Sequence, residues 1–579
     1  MLSAGVAGGA APLAAQARVQ VDTGIAVPMR DGVVLRADLW RPNQDGRFPV
    51  LVYRTPYGRS GAGAAELVRA AVGRGYAVVL QDVRGRYGSN GEFEPYRHEG
   101  KDGYDTIEWA ARQPWSTGDV GTFGLSYPGA VQWLAAVEQP PSLKAMVPAM
   151  TYHAPESFWY SGGVWDGSWL DWTWLNIAPD LRRRLRVPGP QTWEAADIAW
   201  RRDGPAARRH RPLRTLPDFK AIAPWYYDWM RHPPRDPWWS WAALEGRYGR
   251  VHAAVLNLSG WFDEPYGPVG AAANYTGLID AGRADTAGPY LILGPWTHGG
   301  EERTQAGDRD FGAAAALDYT ATVLDWMDRY VRGTLNGVEK AAPVRVFVMG
   351  ANRWRSADRW PFAGTRPDTL YLQSPARRAE SGRLVSRPAT GAMGQSVIAS
   401  DPKAPMADPF EGRAGAHDYR ALPGRRQLAV FETEPLAAAR EIIGPVVAEL
   451  AVSATVPDFD IWVQLYDVAP DGTAWNLSSP GTGLMRASYR KGGPKRHLVR
   501  KGEVVQLRLD RLLTANRFLP GHRARIVVSS AFFPLFSVNP QTGAQEFETA
   551  ETRAGEIRIH HSQAHVSRLI LPSVPPDPD

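Results

Sequence analysis

Short apolar runs bounded by turn residues recur in the first 150 residues and again after residue 250. They cover residues 48–53, 76–81, 120–125, 143–148, 254–258 and 289–293. Runs this short and this apolar are typical of parallel strands that are buried on both faces. Helical periodicity separates several of them, most clearly at 64–73 and 105–112. The alternation predicts a doubly wound α/β sheet with right-handed crossovers.

The alternation is interrupted in the middle of the chain. The interruption holds 12 of the 23 tryptophans, a helix-like stretch at 192–202 and proline-rich breaks. We interpret residues 151–248 as a helical cap inserted between two parts of an α/β body, 18–150 and 249–365. Strand-like segments then recur between Gly, Pro and Asn turns, which predicts an all-β sandwich or jelly roll over 366–579.

Composition excludes several kinds of chemistry. Cysteine is absent, so disulfides, thiolate metal sites and cysteine nucleophiles are excluded. The formal net charge is +6, but the basic residues are spread along the chain and interleaved with acidic ones. We therefore expect a solvated surface and no nucleic-acid partner. The sequence has no run of about 18 apolar residues, so we expect no membrane insertion.

The first 17 residues form a segment of their own. Residues 1–17 are mostly small and apolar and end in A-Q-A, a pattern like that of a secretory cleavage site. A positively charged start is missing from this segment. We interpret it either as a leader or as a flexible tail. A leader predicts a periplasmic or secreted protein, and a tail leaves a cytoplasmic location open.

A serine lies at the end of the apolar run 120–125, in the sequence G-L-S-Y-P-G at 124–129. Small residues around a serine between a strand and a helix are typical of a nucleophile elbow, where the backbone turns sharply. The second glycine falls one place later than in G-x-S-x-G. A helix-compatible stretch, 130–137, follows the motif. This context predicts that Ser126 is a nucleophile and not an ordinary turn serine.

A serine nucleophile needs a base and an orienting acid, which follow it in the order Ser, acid, His in this class of fold. Asp263 comes shortly after the run 254–258, and His298 shortly after the run 289–293. The other histidines lie in the cap or the β region, or precede Asp263 in the chain. We expect His298 to take the proton of Ser126 and Asp263 to hold the imidazole and stabilise its charged form.

The negative oxygen of a tetrahedral intermediate needs fixed hydrogen-bond donors. One should be the backbone N–H of Tyr127, the residue after the nucleophile. A second usually comes from the loop after an earlier strand, which here is R-T-P-Y-G at 54–58. This loop lacks the HGGG pattern of lipases, so the hydroxyl of Tyr57 is the candidate donor. From these residues alone, a packing role for Tyr57 is equally open.

Seven short motifs occur in order along the chain. They are MRDG at 29–32, RTPYG at 54–58, DVRGR at 82–86, QPW at 113–115, GLSY at 124–127, GWFD at 260–263 and GPWTH at 294–298. With these motifs, the chain resembles the cocaine esterase and X-Pro dipeptidyl-peptidase (CocE/NonD) family of α/β-hydrolases. The resemblance implies an α/β-hydrolase body with an inserted helical cap domain and a C-terminal all-β jelly roll.

The same resemblance assigns roles to residues. It implies that Ser126, Asp263 and His298 form a catalytic triad, and that the Tyr57 hydroxyl joins the Tyr127 N–H in an oxyanion hole. The elbow of this family reads G-x-S-Y-x-G, so the displaced glycine of the present chain agrees with it. No metal or organic cofactor is implied, and no HExxH or P-loop pattern occurs.

The family covers several substrate classes. Its α-amino acid ester hydrolases hold the substrate ammonium with carboxylates, two of them two and three residues after the triad acid. Those positions are Pro265 and Tyr266 here, so an ammonium pocket would depend on Glu156 and Glu264. We therefore expect a serine carboxylesterase that acts on small or medium esters through an acyl-enzyme. Hydrolysis of amides or peptides, as by X-Pro dipeptidyl-peptidases, α-amino acid ester hydrolases or cephalosporin acylases, is the alternative.

The tryptophan-rich cap suggests aromatic contacts with the substrate. The candidate substrate-binding residues are Glu156, Trp159, Trp165, Trp261, Phe262 and Glu264. Core packing is the other explanation of these tryptophans. A small-molecule ester or amide is the expected partner, and the sequence leaves a homo-oligomer open. The rival outside enzymes is a binding protein whose jelly roll recognises a carbohydrate, which predicts an incomplete triad.

Overall fold

The computed structural model describes residues 19–61, 65–283, 288–374, 381–390 and 394–575. The segment that we interpreted as a leader or a flexible tail, 1–17, lies outside these residues. Among the helices in the described part of the chain, none is both long and apolar enough to cross a membrane.

A large sheet forms the centre of the body. The strands of the body and cap are, in chain order, β1 (Val19–Pro28), β2 (Val34–Pro42), β3 (Phe48–Thr55), β4 (Ala77–Asp82), β5 (Ser116–Leu125), β6 (Leu143–Ala149), β7 (Tyr160–Ser161), β8 (Val164–Trp165), β9 (Ala254–Phe262), β10 (Tyr290–Thr297), β11 (Gln305–Ala306), β12 (Arg309–Asp310), β13 (Val344–Val348) and β14 (Arg353–Ala357). The sheet has the order β1-β2-β4-β3-β5-β6-β9-β10-β13-β14. Neighbours from β4 to β13 pair in parallel, and the outer pairs are antiparallel. Every residue of β4 and β9 is buried, as expected for parallel strands covered on both faces.

Helices cover both faces of this sheet. The α-helices are, in chain order, α1 (Ala65–Gly73), α2 (Glu99–Ala111), α3 (Tyr127–Ala136), α4 (Ser168–Trp172), α5 (Ala178–Leu185), α6 (Trp193–Arg209), α7 (Trp225–Arg231), α8 (Gly267–Asp280) and α9 (Tyr319–Tyr330). On β3, Val50 and Val52 belong to the core that α2 and α3 complete, whereas Leu51 belongs to the core under α1 and α9. Each buried side chain of this kind stabilises the fold by about 1.5–3 kcal/mol.

The cap contains α4 to α7, the small β7–β8 hairpin and a π-helical turn, Thr173–Ile177, between α4 and α5. Its aromatic side chains pack on one another. Trp159, for example, is fully buried and stacks on Trp239, with 4.3 Å between ring centroids. The cap residues belong to the same hydrophobic core as α2 and α3, so the cap is joined to the body by apolar packing.

The C-terminal part of the chain is an all-β domain. Its strands are β15 (Arg366–Gln373), β16 (Ser381–Val385), β17 (Gln395–Ser400), β18 (Leu428–Glu432), β19 (Arg440–Ala454), β20 (Asp460–Val468), β21 (Ala474–Asn476), β22 (Leu484–Arg486), β23 (Val505–Phe518), β24 (Arg523–Ser529), β25 (Gly555–His560) and β26 (Arg568–Val574). They follow the order β17-β25-β19-β26-β15-β16-β18-β24-β20-β21, with β22 beside β20 and β23 beside β19. A central parallel sheet followed by an all-β domain confirms the predicted fold class.

Candidate active site

Ser126 lies at the turn between β5 and α3. Its backbone angles, φ 69° and ψ −124°, are strained for a residue with a side chain. The glycines on either side permit this turn. A Cβ on Gly124 would lie 2.5 Å from Pro128 Cβ, and a Cβ on Gly129 would lie 2.5 Å from the carbonyl oxygen of Ala149. The glycine at 129 is therefore required by the close approach of β6, and the turn is that of a nucleophile elbow.

Asp263 and His298 follow neighbouring parallel strands, β9 and β10, at the same edge of the sheet. His298 Nδ1 and Asp263 Oδ1 are 2.5 Å apart. Asp263 is also held by two other donors, since its Oδ2 accepts the Ser259 hydroxyl at 2.6 Å and its Oδ1 accepts the Glu264 N–H at 2.7 Å. Asp263 is buried. The bonds from Ser259 and Glu264 therefore hold the carboxylate in place independently of His298.

The electrostatic surroundings favour the charged form of His298. Desolvation of the imidazole opposes its charge, but the adjacent carboxylate of Asp263 and the nearby carboxylates of Glu264 and Glu301 outweigh that effect. Together they raise the pKa of His298 to about 9. An imidazolium formed at this position is therefore stabilised.

The Tyr57 hydroxyl lies at the same site. Its oxygen accepts the indole N–H of Trp172 at 3.0 Å, and Tyr57 and Ser126 line the same cavity. Burial raises the pKa of Tyr57 to about 12, although the bond from Trp172 opposes this rise. Tyr57 therefore keeps its proton at neutral pH and is available as a donor.

A buried network holds Tyr127, the residue after Ser126. Its hydroxyl donates to Glu99 Oε1 at 2.8 Å and accepts the backbone N–H of Tyr96 at 2.9 Å. Glu99 in turn forms a buried ion pair with Arg54, 2.9 Å from Oε2 to Nη1. The Tyr127 side chain is thus held in one position by buried hydrogen bonds.

A cavity of about 830 Å³ opens above Ser126. The body contributes Tyr57, Ser126, Phe262, Asp263, Glu264 and His298 to its wall. The cap contributes Trp169, Asp171, Trp172, Leu175 and Asn176. The all-β domain contributes Gly412, Arg413, Ala414, Ser479, Pro480 and Leu535. Residues from three parts of the chain therefore enclose one space.

Of the residues predicted to bind substrate, Phe262 and Glu264 line this cavity. The other four lie outside its wall. Glu156 pairs with Arg235, 3.3 Å between Oε1 and Nε. The three tryptophans are packed in cores, where Trp159 stacks on Trp239, Trp165 packs on Tyr160 and Tyr226, and Trp261 donates to the Phe347 carbonyl.

The structure adds cavity residues that the sequence did not single out. Trp169 and Trp172 provide the aromatic wall of the cap. Glu301, three residues after His298, is a third carboxylate near the imidazole, after Asp263 and Glu264. Burial raises its pKa as it raises that of Glu264. The sequence could have indicated Glu301 through its position three residues after His298. No local signal distinguished Trp172 from the other tryptophans of the cap.

Carboxylates are also what a metal ion would need. Within the described ranges, no group of three or more His, Asp or Glu side chains is placed to hold a metal ion. Oε2 of Glu301 is buried and has no hydrogen-bond partner among the described residues.

The fold and the site define an α/β-hydrolase with a strained serine, a histidine–aspartate pair and a cap over a common cavity. The chain belongs to the cocaine esterase and X-Pro dipeptidyl-peptidase family. Residues 31–300 match the family model described as X-Pro dipeptidyl-peptidase (S15 family), and residues 336–570 match its C-terminal non-catalytic domain. The resemblance inferred from the seven motifs is confirmed.

Individual relatives span nearly the whole chain. The cocaine esterase of Rhodococcus sp. (strain MB1 Bresler) is 34% identical over 96% of this chain and 98% of its own length. A solved α-amino acid ester hydrolase is 25% identical, with a TM-score of 0.79 and 98% of each chain covered. A solved aminopeptidase from the marine sediment archaeon Thaumarchaeota archaeon has the same TM-score at 22% identity, with 96% of each chain covered. The last of these shows the fold alone.

Proposed function

We propose that this protein is a serine hydrolase that cleaves carboxylic esters of small or medium-sized substrates through an acyl-enzyme. The observation that carries the proposal is that the strained Ser126 and the His298–Asp263 pair open onto one cavity of about 830 Å³. A cavity of that size suits a small molecule. The relationship to a cocaine esterase supports ester hydrolysis.

In the proposed reaction, the Ser126 hydroxyl attacks the acyl carbon of the ester. Because Nδ1 of His298 is engaged by Asp263, Nε2 is the nitrogen that receives the serine proton. His298 then gives this proton to the departing alcohol oxygen, and the acyl group stays on Ser126. A water molecule, deprotonated by the same imidazole, releases the acid and restores the serine. The groups that raise the pKa of His298 stabilise the imidazolium formed in both steps.

The oxyanion of each tetrahedral intermediate is held by the Tyr57 hydroxyl and the Tyr127 N–H in this proposal. The protonated Tyr57 supports it, because only a neutral phenol donates a hydrogen bond. Fixed donors in a site that excludes water are worth more than the same donors in solution. Loss of one such donor costs about 2.7–4 kcal/mol of transition-state stabilisation.

The test is the substitution Ser126→Ala, assayed with p-nitrophenyl acetate and p-nitrophenyl butyrate. We expect kcat to fall about 10⁶-fold, as for the loss of a serine nucleophile elsewhere. The matched control is Ser161→Ala, which removes a buried serine of the cap that donates to the Gly481 carbonyl and does not line the cavity. Undiminished turnover by Ser126→Ala, with the unfolding temperature of the wild type, would contradict the proposal.

A second candidate is hydrolysis of substrates that carry an ammonium group, such as α-amino acid esters or X-Pro dipeptide amides. Glu264 and Glu301 at the cavity favour it, because their carboxyl groups could accept hydrogen bonds from an ammonium and Oε2 of Glu301 has no partner among the described residues. A panel of simple esters, α-amino acid esters, X-Pro anilides and glutaryl amides separates the two. Preference for simple esters supports the first candidate. A kcat/KM at least tenfold higher for amino-bearing substrates, lost on Glu264→Gln, would support the second.

A further inference from the structure

Trp172 contacts the side chains of both residues proposed to hold the oxyanion. It is the last residue of α4, directly before the π-helical turn Thr173–Ile177. Its indole N–H donates to the Tyr57 oxygen at 3.0 Å. Its ring lies almost parallel to that of Tyr127, at 11° and 6.2 Å between centroids. One side chain of the cap thus contacts two residues that belong to different loops of the body.

The bond from Trp172 decides what the Tyr57 hydroxyl can do. A phenol has one proton to donate, and its oxygen accepts. Because the indole N–H already occupies an acceptor position of the Tyr57 oxygen, the proton of Tyr57 remains available to the cavity that Tyr57 and Ser126 both line. A donor bonded to the phenol oxygen also polarises the O–H bond, so the hydroxyl becomes a stronger donor in turn.

Arg86 connects the segment that carries Tyr57 to the segment that follows Trp172. It is fully buried, and its guanidinium spans the loop before Tyr57 and the turn after Trp172. Nε donates to the Pro56 carbonyl at 2.8 Å, while Nη1 and Nη2 donate to the carbonyls of Ile177 and Asn176 at 2.8 and 3.1 Å. Two carbonyls of a π-helical turn, a feature that often marks a functional site, are thereby bound to the body.

We propose that Trp172 is a positioning residue of the oxyanion hole, which acts by orienting and polarising the Tyr57 hydroxyl. The inference rests on the proposed function, because it assumes that Tyr57 donates to the oxyanion. Under this proposal the cap has two roles: it lines the cavity, and through Trp172 it orients the Tyr57 hydroxyl. Trp172 also lines the cavity, so its effect on catalysis has to be separated from an effect on substrate binding.

The variant Trp172→Phe keeps an aromatic ring beside Tyr127 and removes the N–H donor together with one ring of the indole. We expect kcat for p-nitrophenyl butyrate to fall on the order of tenfold, the equivalent of one supporting hydrogen bond, with KM within about twofold of the wild type. The matched control is Trp174→Phe, which removes an indole bond to the Ala196 carbonyl from the same cap segment and should leave kcat unchanged. A rise in KM without a fall in kcat would overturn the proposal.

A double-mutant cycle with Tyr57→Phe tests whether Trp172 acts through Tyr57. In the Tyr57→Phe background we expect Trp172→Phe to lower kcat by less than about twofold, because its partner is already absent. An equal loss in both backgrounds would overturn the proposal and leave the function intact. An unchanged kcat in Tyr57→Phe alone would remove Tyr57 from the oxyanion hole and the inference with it, while the assignment of Ser126 would stand.

Affinity for phenylboronic acid gives a readout that packing alone would not move. Its tetrahedral adduct with a serine places an oxygen where the oxyanion forms, so it depends on the oxyanion donors. We expect its dissociation constant to rise about tenfold in Trp172→Phe while KM for the ester stays within about twofold. Equal changes in the two constants would assign Trp172 to substrate binding and overturn the proposal.

Discussion

Among the histidine–aspartate pairs in the described part of the chain, one in the body and one in the all-β domain allow a direct comparison. In the body, His298 Nδ1 lies 2.5 Å from Asp263, and in the all-β domain His522 Nδ1 lies 2.7 Å from Asp467. The carboxylate raises the pKa of the histidine in both pairs. Only the first pair opens onto a cavity that also contains a strained serine.

The surroundings of the second pair explain its different role. Asp467 lies on β20 and also accepts an amide N–H from Asn516 of the long strand β23 at 3.3 Å. His522 comes directly before β24 and joins it to this network. The pair therefore ties strands together. The comparison shows that a histidine–aspartate pair alone does not indicate a catalytic site. A candidate nucleophile and a cavity beside the pair are also needed.

The largest contrast is expected when the aspartate of each pair is replaced by asparagine. Asp263→Asn should lower kcat for p-nitrophenyl butyrate by about 10⁴-fold, because an amide neither fixes the required tautomer nor stabilises the imidazolium. Asp467→Asn should leave kcat within about twofold. Steady-state kinetics on both variants measures this. Similar losses of kcat in the two variants would remove the distinction between the pairs.

The next contrast is between a buried and a more exposed ion pair of the all-β domain. Arg486 is fully buried between Asp460 and Glu546, with bonds of 2.8 and 2.5 Å. Arg486→Met strands two buried carboxylates, and we expect the free energy of unfolding to fall by about 3–5 kcal/mol. The control Arg508→Met breaks the more exposed pair with Glu449 and should cost about 1 kcal/mol or less. Denaturant unfolding measures both, and equal costs would contradict a structural role for the buried cluster.

A smaller effect is expected in the pH profile of catalysis. His298 accepts a proton only when it is neutral, so kcat/KM should rise with pH up to about 9, the raised pKa of this imidazole. Glu301→Gln removes a negative charge that favours the imidazolium, so the rise should move to lower pH. Glu434→Gln, an exposed change in the all-β domain, should leave the profile in place. A shift to higher pH in Glu301→Gln would be the wrong sign for this electrostatic account.

The smallest effect is expected from the second histidine. The folded-state pKa of His522 is raised, so its bond to Asp467 adds stability that is complete below the unfolded-state pKa and is lost as pH rises through the folded-state value. For a partly exposed pair, His522→Asn should lower the free energy of unfolding by about 1 kcal/mol or less at low pH. The difference should shrink in alkaline buffer, with kcat unchanged. A cost that grows with pH would contradict the assignment.

The sequence predicted the strands that carry the site more accurately than where they end. Residues 254–258 were expected to form a strand, but β9 continues to Phe262. The expectation stopped at Ser259-Gly260 because glycine there suggested a turn. In the fold, Gly260 lies inside the strand. Glycine is needed there because a Cβ would lie 2.2 Å from the Trp296 carbonyl oxygen. A glycine required by a neighbouring strand looks like a turn glycine until that neighbour is placed.

The substrate wall was predicted less well, for a physical reason. Residues at strand ends follow from the order of the strands, which is how Ser126, Asp263 and His298 were brought together as candidates. The packing of short helices decides which tryptophans of the cap face the cavity. That packing cannot be inferred from composition. Trp159 was therefore proposed at the cavity, whereas Trp172 lines it. Arg413 comes from a loop of the all-β domain, far along the chain from the reacting groups.

That distant loop has a consequence for how such enzymes diversify. Residues 412–414 help to shape the space in which a substrate sits, yet they contribute none of the groups that make or break bonds. Changes of sequence or length there alter which molecules fit without disturbing the elbow, the pair or the tyrosines. We therefore expect that substitutions at 412–414 change which substrates fit, although this loop lies in another domain than Ser126, Asp263 and His298.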